Sequence, residues 1–405
     1  MKDAVIVSAA RSPIGRAGKG SLTGVRPDDL AALMVDAALN DVPELKRSEI
    51  DDLYLGCGRP GGEQGFNMGR VVAVSLGMDS VPAATVTRYC ASSIQTSRMA
   101  FHAIRAGEGE VFVSAGVECV SRLTVGSSDS LPGTKNPRFD GSRKRSEERS
   151  AGAAEPWVDP RTDNGMPDIY IQMGQTAENV AQVCGVSRAE QDEFALRSQQ
   201  RAAEATASGF WKREITPVTL ADGTVVDADD GPRPSTTLDA LAQLKPVFRP
   251  DGTVTAGNCC ALNDGAAALV IMSSSKASDL GIRPLARIVS TGVSALSPEM
   301  MGLGPVGASQ RALSHAGMSI GDLDLVEINE AFAAQVIPSY QQLGIDLDRV
   351  NVNGGGIAVG HPFGMTGARL TVTMLNALDH RDLQTGLITM CVGGGQGMAM
   401  IVERV

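Results

Sequence analysis

The sequence predicts a layered α/β protein built from two related halves. Near-continuous apolar segments alternate with helical patterns, as parallel or mixed sheets covered on both faces require. The order of these elements repeats between the two halves of the chain. Forty-six glycines and an aromatic share of 4% suit many tight turns between short elements.

Taken in order, MKDAVIVSAARSPIG (1–15) reads as a first strand, its short apolar run broken by Arg11 and Pro13. DDLYLG (51–56) is a strand, followed by PAATV, by a helix over CASSIQTSRMAFHAI (90–104) and by the strand EVFVSAGVECV (110–120). The second half repeats the pattern with DLDLVEIN (322–329), RVNVNGGG, the helix GARLTVTMLNALD and GLITMCVGGGQGMAMIV (386–402). Two such halves packed together give five layers, α/β/α/β/α. Residues from about 121 to 250 are more polar and irregular, and read as an inserted lobe covering a site. Within it SRKRSEER (142–149) and DADDGPRP (227–234) read as exposed loops. A helix over 187–207 is signalled by Ser187 and Glu190, a capping box. TVTAGNCCALNDGAAALVIMS (253–273) returns to buried, strand-like composition.

A net charge of -10 argues against non-specific binding to nucleic acid or an anionic membrane, though not against a phosphorylated ligand in a local basic pocket. Seven cysteines form no CxxC pair, and no zinc spacing is visible. Free thiols in a reducing cytoplasm are expected. No apolar run approaches the ~20 residues that span a bilayer.

Three reactive side chains sit in small-residue surroundings: Cys90 in VTRYCASS, His361 in NGGGIAVGHPFG and Cys391 in CVGGGQG. Glycine lets main-chain N–H groups approach a reacting centre closely. Cys90 opens a helix, where unpaired N–H groups and the helix dipole lower a thiol's pKa; the alternative is a small buried hydrophobe. His361 precedes Pro362, which holds its root extended, and serves as a base or acid or as a structural histidine. Cys391 ends a strand before three glycines that can turn N–H groups into an oxyanion hole. Together the three suggest a nucleophile, a base and a separate acid. Asn329, in EINEAFAAQ, either holds a water or a substrate carbonyl or caps a helix. Arg233, between two prolines, contacts a phosphate or base or is a solvated loop residue.

GHPFGMTGAR, CVGGGQGMA, NEAFAAQ, AGNCCALNDGAAA and GQTAENVA together resemble the signature segments of the thiolases, in family order and across essentially the whole chain. The resemblance implies the thiolase fold, with two βαβαβαββ halves and a loop domain. It sets an N-terminal half at 1–120 with 251–280, a coenzyme A-binding loop domain at 121–250 and a C-terminal half at 281–405. It implies that Cys90 carries the acyl group, that His361 activates it and later the coenzyme A thiol, and that Cys391 exchanges the proton on acetyl-CoA carbon. Asn329 would position a water that, with His361, stabilises the enolate. The N–H groups of Cys90 and Gly393 would form a second oxyanion hole. Arg233, Cys260 and Met301 fall at coenzyme A-binding positions. Thr87, Gln172 and Cys260 depart from an asparagine, a histidine and a serine frequent in relatives. The implied reaction needs no permanently bound cofactor or metal, only acyl-CoA and coenzyme A as substrates.

Within the family, GGEQGFNMGR (61–70) and CASSIQ are similar to degradative β-oxidation members, most of all the thiolase subunit of bacterial fatty-acid oxidation complexes. That implies a homodimer or dimer of dimers, with a hydratase/dehydrogenase α subunit as a possible partner. The rivals are a condensing acetoacetyl-CoA enzyme and a silent acyl-CoA-binding protein. A decarboxylating condensing enzyme, which pairs its cysteine with two histidines, is disfavoured by Cys391.

Overall fold

The structure, a computed structural model, describes residues 2–123, 131–152 and 156–405. In chain order its strands are β1 (Ala4–Arg11), β2 (Gly15–Arg16), β3 (Asp52–Cys57), β4 (Ala83–Val86), β5 (Val111–Cys119), β6 (Val218–Thr219), β7 (Val225–Val226), β8 (Asn263–Ser273), β9 (Ala286–Ala295), β10 (Leu325–Ile328), β11 (Thr385–Val392) and β12 (Gln396–Arg404). Its helices are α1 (Pro27–Asn40), α2 (Met68–Ser75), α3 (Ser92–Ala106), α4 (Asp140–Ser150), α5 (Met173–Cys184), α6 (Arg188–Ala207), α7 (Leu238–Ala242), α8 (Ser274–Leu280), α9 (Gly304–Ala316), α10 (Ala333–Leu343), α11 (Gly356–Val359) and α12 (Thr366–Arg381).

The main sheet runs β10-β11-β12-β9-β1-β8-β5-β3-β4, with β2 beside β8. In the first half β3 is parallel to β4 and β5, and β8 is antiparallel to β5 and β1. In the second, β10 is parallel to β11, and β12 is antiparallel to β11 and β9. The halves join where β1 meets β9 antiparallel, through Val5–Arg287 and Ile6–Ala286. The duplication is therefore a property of topology, with one strand eroded. The second-half counterpart of β4 is only a bridge between Val326 and Val350. There the chain enters Asn351 at φ 45° and Gly354 at φ 84°, backbone that cannot continue a strand.

β5 and β8 are buried at every position, which explains their unbroken apolar character. Three clusters form the layers. Leu30 and Met34 of α1 cover one face of the first half, against Val113 and Val270. Ile94, Phe101 and Ile104 of α3 pack with Leu370 and Met374 of α12 between the halves, against Ile6, Leu269, Ile388 and Met400. Ala308 of α9 and Val336 of α10 cover the far side, against Leu387 and Ile401. This is the α/β/α/β/α order expected.

Between residues 121 and 250 no described strand joins the main sheet, which this segment meets only through a bridge from Ile215 to Arg11; β6 and β7 pair with each other. α6 has the expected box: Ser187 N donates to Glu190 Oε2 at 2.7 Å and Glu190 N to Ser187 Oγ at 3.2 Å. Two expectations fail here. Residues 142–149 are the body of α4, because their charges pair at helical spacing: Arg143 with Asp140 at 2.6 Å and Lys144 with Glu148 at 3.8 Å. Residues 227–234 are not simply a solvated loop. The Asp229 side chain is 2% exposed and accepts 2.8 and 3.0 Å bonds from the fully buried Arg11, while Asp230 accepts from the Arg16 and Ser21 N–H groups at 2.8 Å each. Acidic composition marked this segment as surface, but its partners lie more than 200 residues away in sequence.

Candidate active site

β4 ends at Val86, and the chain reverses at Tyr89, φ 43°, before the single turn that carries Cys90 into α3. Ser92 locks the reversal: its hydroxyl donates to Tyr89 O at 2.6 Å and accepts from Arg88 N at 2.9 Å. Cys90 is half-buried, and burial, followed by the charge of Glu118, pushes its thiol up to about 12. The N–H groups of Gly393 and of Cys90 itself face the sulfur and act in the opposite sense. The expectation of a lowered pKa is thus reversed. One turn's worth of N–H dipoles is outweighed by loss of solvent, so the resting group is a thiol.

His361 follows Gly360, whose φ of 116° only glycine adopts freely; a Cβ there would lie 2.8 Å from the Asn263 amide. That amide oxygen accepts from His361 N at 2.9 Å. The ring Nδ1 lies 2.6 Å from Thr366 Oγ1, whose hydroxyl proton goes to Pro362 O at 2.7 Å. The Thr366 oxygen must therefore accept, so Nδ1 carries the proton and Nε2 the lone pair. Asn329 Nδ2 stands 3.3 Å from Nε2. Burial, then the charge of Arg369, lowers the imidazole to about 3, so it rests neutral and able to accept a proton.

Asn329 is fully buried at the end of β10, tied to β11 by its N–H to Thr389 O at 3.0 Å. Its amide oxygen is buried without a hydrogen-bond partner. The helix-cap reading fails, since α10 begins only at Ala333. Glu330 beside it accepts from Ser198 Oγ, Asn351 Nδ2 and Ile357 N at 2.6, 2.8 and 3.1 Å.

Cys391 lies two residues beyond Thr389, buried, opposite Gly397 in the β11–β12 pair. Burial and the neighbouring Cys90 push its thiol up. Gly394 and Gly395, at φ 78° and 75°, make the reversal that presents Gly393 N–H to Cys90. The helix starts complete the assembly: Ala368 N of α12 donates to Ser93 Oγ of α3 at 2.8 Å. Segments around residues 90, 329, 361 and 391 so come together. A base with a free lone pair, two thiols and two inward N–H groups suit acyl transfer through a thioester.

The proposed coenzyme A contacts lie in different settings. Arg233 is exposed and lines a small cleft with Arg16, Cys259 and Asn263 that ends at Gly360, next to His361. Cys260 is half-buried, its backbone N–H donates to Ala331 O at 3.0 Å, and its thiol senses both Cys90 and Cys391. Met301 is 2% exposed within the third core cluster. Gln172 precedes α5 without a side-chain capping bond. Sequence reading missed Thr366, Asn263 and Glu118. Only Glu118 left a signal, as a lone charge in an apolar strand.

Residues 4–275 match the family model "Thiolase, N-terminal domain" and residues 282–404 match "Thiolase, C-terminal domain". The chain is 42% identical to a 3-ketoacyl-CoA thiolase of Bacillus subtilis over all of both chains. It is 43% identical to a beta-ketoadipyl-CoA thiolase of Pseudomonas knackmussii, again over all of both. Among solved structures, the acetyl-CoA acetyltransferase of Bacillus anthracis superposes with a TM-score of 0.87 at 38% identity, covering 100% of this chain and 99% of that one. Human mitochondrial 3-ketoacyl-CoA thiolase gives 0.86 at 32% identity, covering 100% and 99%. No described helix is long and apolar enough to cross a membrane.

Proposed function

The chain belongs to the thiolase family of acyltransferases, and on that premise we propose that it cleaves 3-ketoacyl-CoA with coenzyme A, giving acetyl-CoA and a shortened acyl-CoA. The observation that carries this reading is the Cys90 sulfur under the Gly393 N–H, with Cys391 close enough for Cys90 to raise its thiol. His361 Nε2 takes the Cys90 proton as the sulfur attacks the 3-keto carbon. The Cα–Cβ bond then breaks and leaves the acetyl-CoA enolate. Its oxygen is held by donors around Asn329 and His361, each contributing about 3 kcal/mol. Cys391, kept as a thiol by burial, delivers a proton to the enolate carbon. The proton on His361 returns to Cys391. His361 then takes the coenzyme A proton, coenzyme A attacks the Cys90 thioester, and Cys90 leaves reprotonated. The Cys90 and Gly393 N–H groups face the tetrahedral oxyanion.

A role in fatty-acid β-oxidation fits the 3-ketoacyl-CoA thiolases among the relatives, while others are named for beta-ketoadipyl-CoA. A panel of acetoacetyl-CoA, longer 3-ketoacyl-CoA and 3-ketoadipyl-CoA separates these substrates. Highest kcat/KM on the long straight chains supports the first reading; activity confined to one of the other two replaces it. A homodimer is supported by β4 lying at the sheet edge beside exposed Phe66, Val71, Val74 and Tyr89. Coenzyme A reaching His361 past Arg233 is supported by the small cleft that Arg233 shares with Gly360, the residue before His361. The central test is covalent. Cys90→Ala is expected to abolish acyl-enzyme formation, while Cys391→Ala still accepts an acyl group on Cys90 from a simple acyl-CoA, read by protein mass. A Cys391→Ala enzyme that never acylates overturns the assignment of roles.

A further inference from the structure

Glu118 is the penultimate residue of strand β5, fully buried, and none of the chemistry above uses it. Its Oε2 accepts from Gly58 N at 2.7 Å and from Gly364 N at 3.0 Å. Its Oε1 accepts from Gln64 Nε2 at 2.7 Å and from Arg59 N at 3.2 Å. The Cys57 thiol points at the same oxygen from 4.0 Å. The four N–H partners can only donate and so favour the anion, against the burial that raises the carboxyl.

The two bonds to Oε2 lead to the two halves of the proposed chemistry. Gly364 stands three residues after His361, in the turn before α12. The Gly58 turn is fastened to the Cys90 turn by Thr87 Oγ1 donating to Gly58 O at 3.2 Å, and Ser92 Oγ lies 3.3 Å from Cys57 O. The space is closed: a Cβ on Gly58 would lie 2.6 Å from Oε2 and 2.8 Å from Phe363 Cβ.

We propose that Glu118 is a positioning residue whose single oxygen Oε2 clamps the His361 turn and the Cys90 turn in register. The inference rests on Cys90 and His361 acting together. Its charge also bears on the nucleophile. The groups whose titration senses it are Cys57, Cys90 and Cys119, and Cys391 and Cys260 are the thiols that sense Cys90 in turn.

The test compares wild type with Glu118→Gln by two readouts: the pH profile of Cys90 alkylation by iodoacetamide, followed by mass, and thiolysis of acetoacetyl-CoA. Replacing one oxygen by NH₂ sets a donor against donors and removes the charge. Alkylation is expected to move to lower pH, and kcat to fall about 10- to 100-fold with a much smaller change in KM. A folded variant with wild-type kcat, or with a wild-type alkylation profile, overturns the proposal. Should Glu118→Gln not fold, Gln64→Met, which strips one donor from Oε1, decides: a kcat lowered about 3- to 10-fold supports the clamp and an unchanged kcat overturns it. Alkylation needs no substrate. A shifted profile in a protein that cleaves no 3-ketoacyl-CoA would sink the proposed function and leave the charge effect of Glu118 standing.

Discussion

At the scale of single residues, the site is built so that each reactive group rests uncharged. Cys90 and Cys391 are thiols and His361 is a neutral imidazole, all because burial disfavours their ions. The proton must therefore move when substrate is present. That places weight on the histidine tautomer, which Thr366 sets. Thr366→Val is expected to lower the rate of Cys90 acylation by about 10-fold or more, and Thr366→Ser to restore most of it, in single-turnover measurements. Cys90, His361 and Cys391 were legible in the sequence because each stands in a run of glycines or small residues, a local mark. Thr366 was not, since its role depends on where a ring five residues away is turned.

At the scale of elements, close backbone approach explains where glycine is required. A Cβ on Gly116 of β5 would lie 2.1 Å from Gly364 O, whereas on Gly141 of α4 it would meet nothing within 4 Å. Gly116→Ala is expected to destabilise by about 1–3 kcal/mol, since β5 cannot move without disturbing the turn that holds His361. Gly141→Ala is expected to be stabilising by up to about 1 kcal/mol through helix propensity. Denaturant midpoints of the two variants check both signs. The strands and α6 were readable from period and capping. α4 was not, because an element without an apolar stripe is indistinguishable from a loop until its charges are seen to pair along one helix.

For the whole molecule, buried titration couples the site to stability. His361 has a folded pKa near 3 against 6.5 unfolded, so between these values the unfolded chain binds the extra proton. Stability from this group is complete above pH 6.5 and is lost on acidification toward 3, by up to about 1.4 kcal/mol per pH unit. The raised carboxyls of Glu118, Glu327 and Glu330 act in the opposite direction as pH rises, so the test must be a difference. Unfolding free energies of wild type and His361→Gln, compared from pH 6.5 downward, are expected to converge; parallel curves would remove the histidine from the account.

The amino-acid sequence by itself determined the layered duplicated architecture and the family, and singled out the three side chains proposed as reactive. Periodicity, glycine runs and motif spacing are properties of neighbours along the chain. Folding alone decided that Asp229 is buried on Arg11, that residues 142–149 are helical, that the Cys90 thiol is raised rather than lowered, and that Glu118 bridges two turns. Each of these depends on water being excluded, or on a partner reached only through space, and neither is written in any short stretch of the chain.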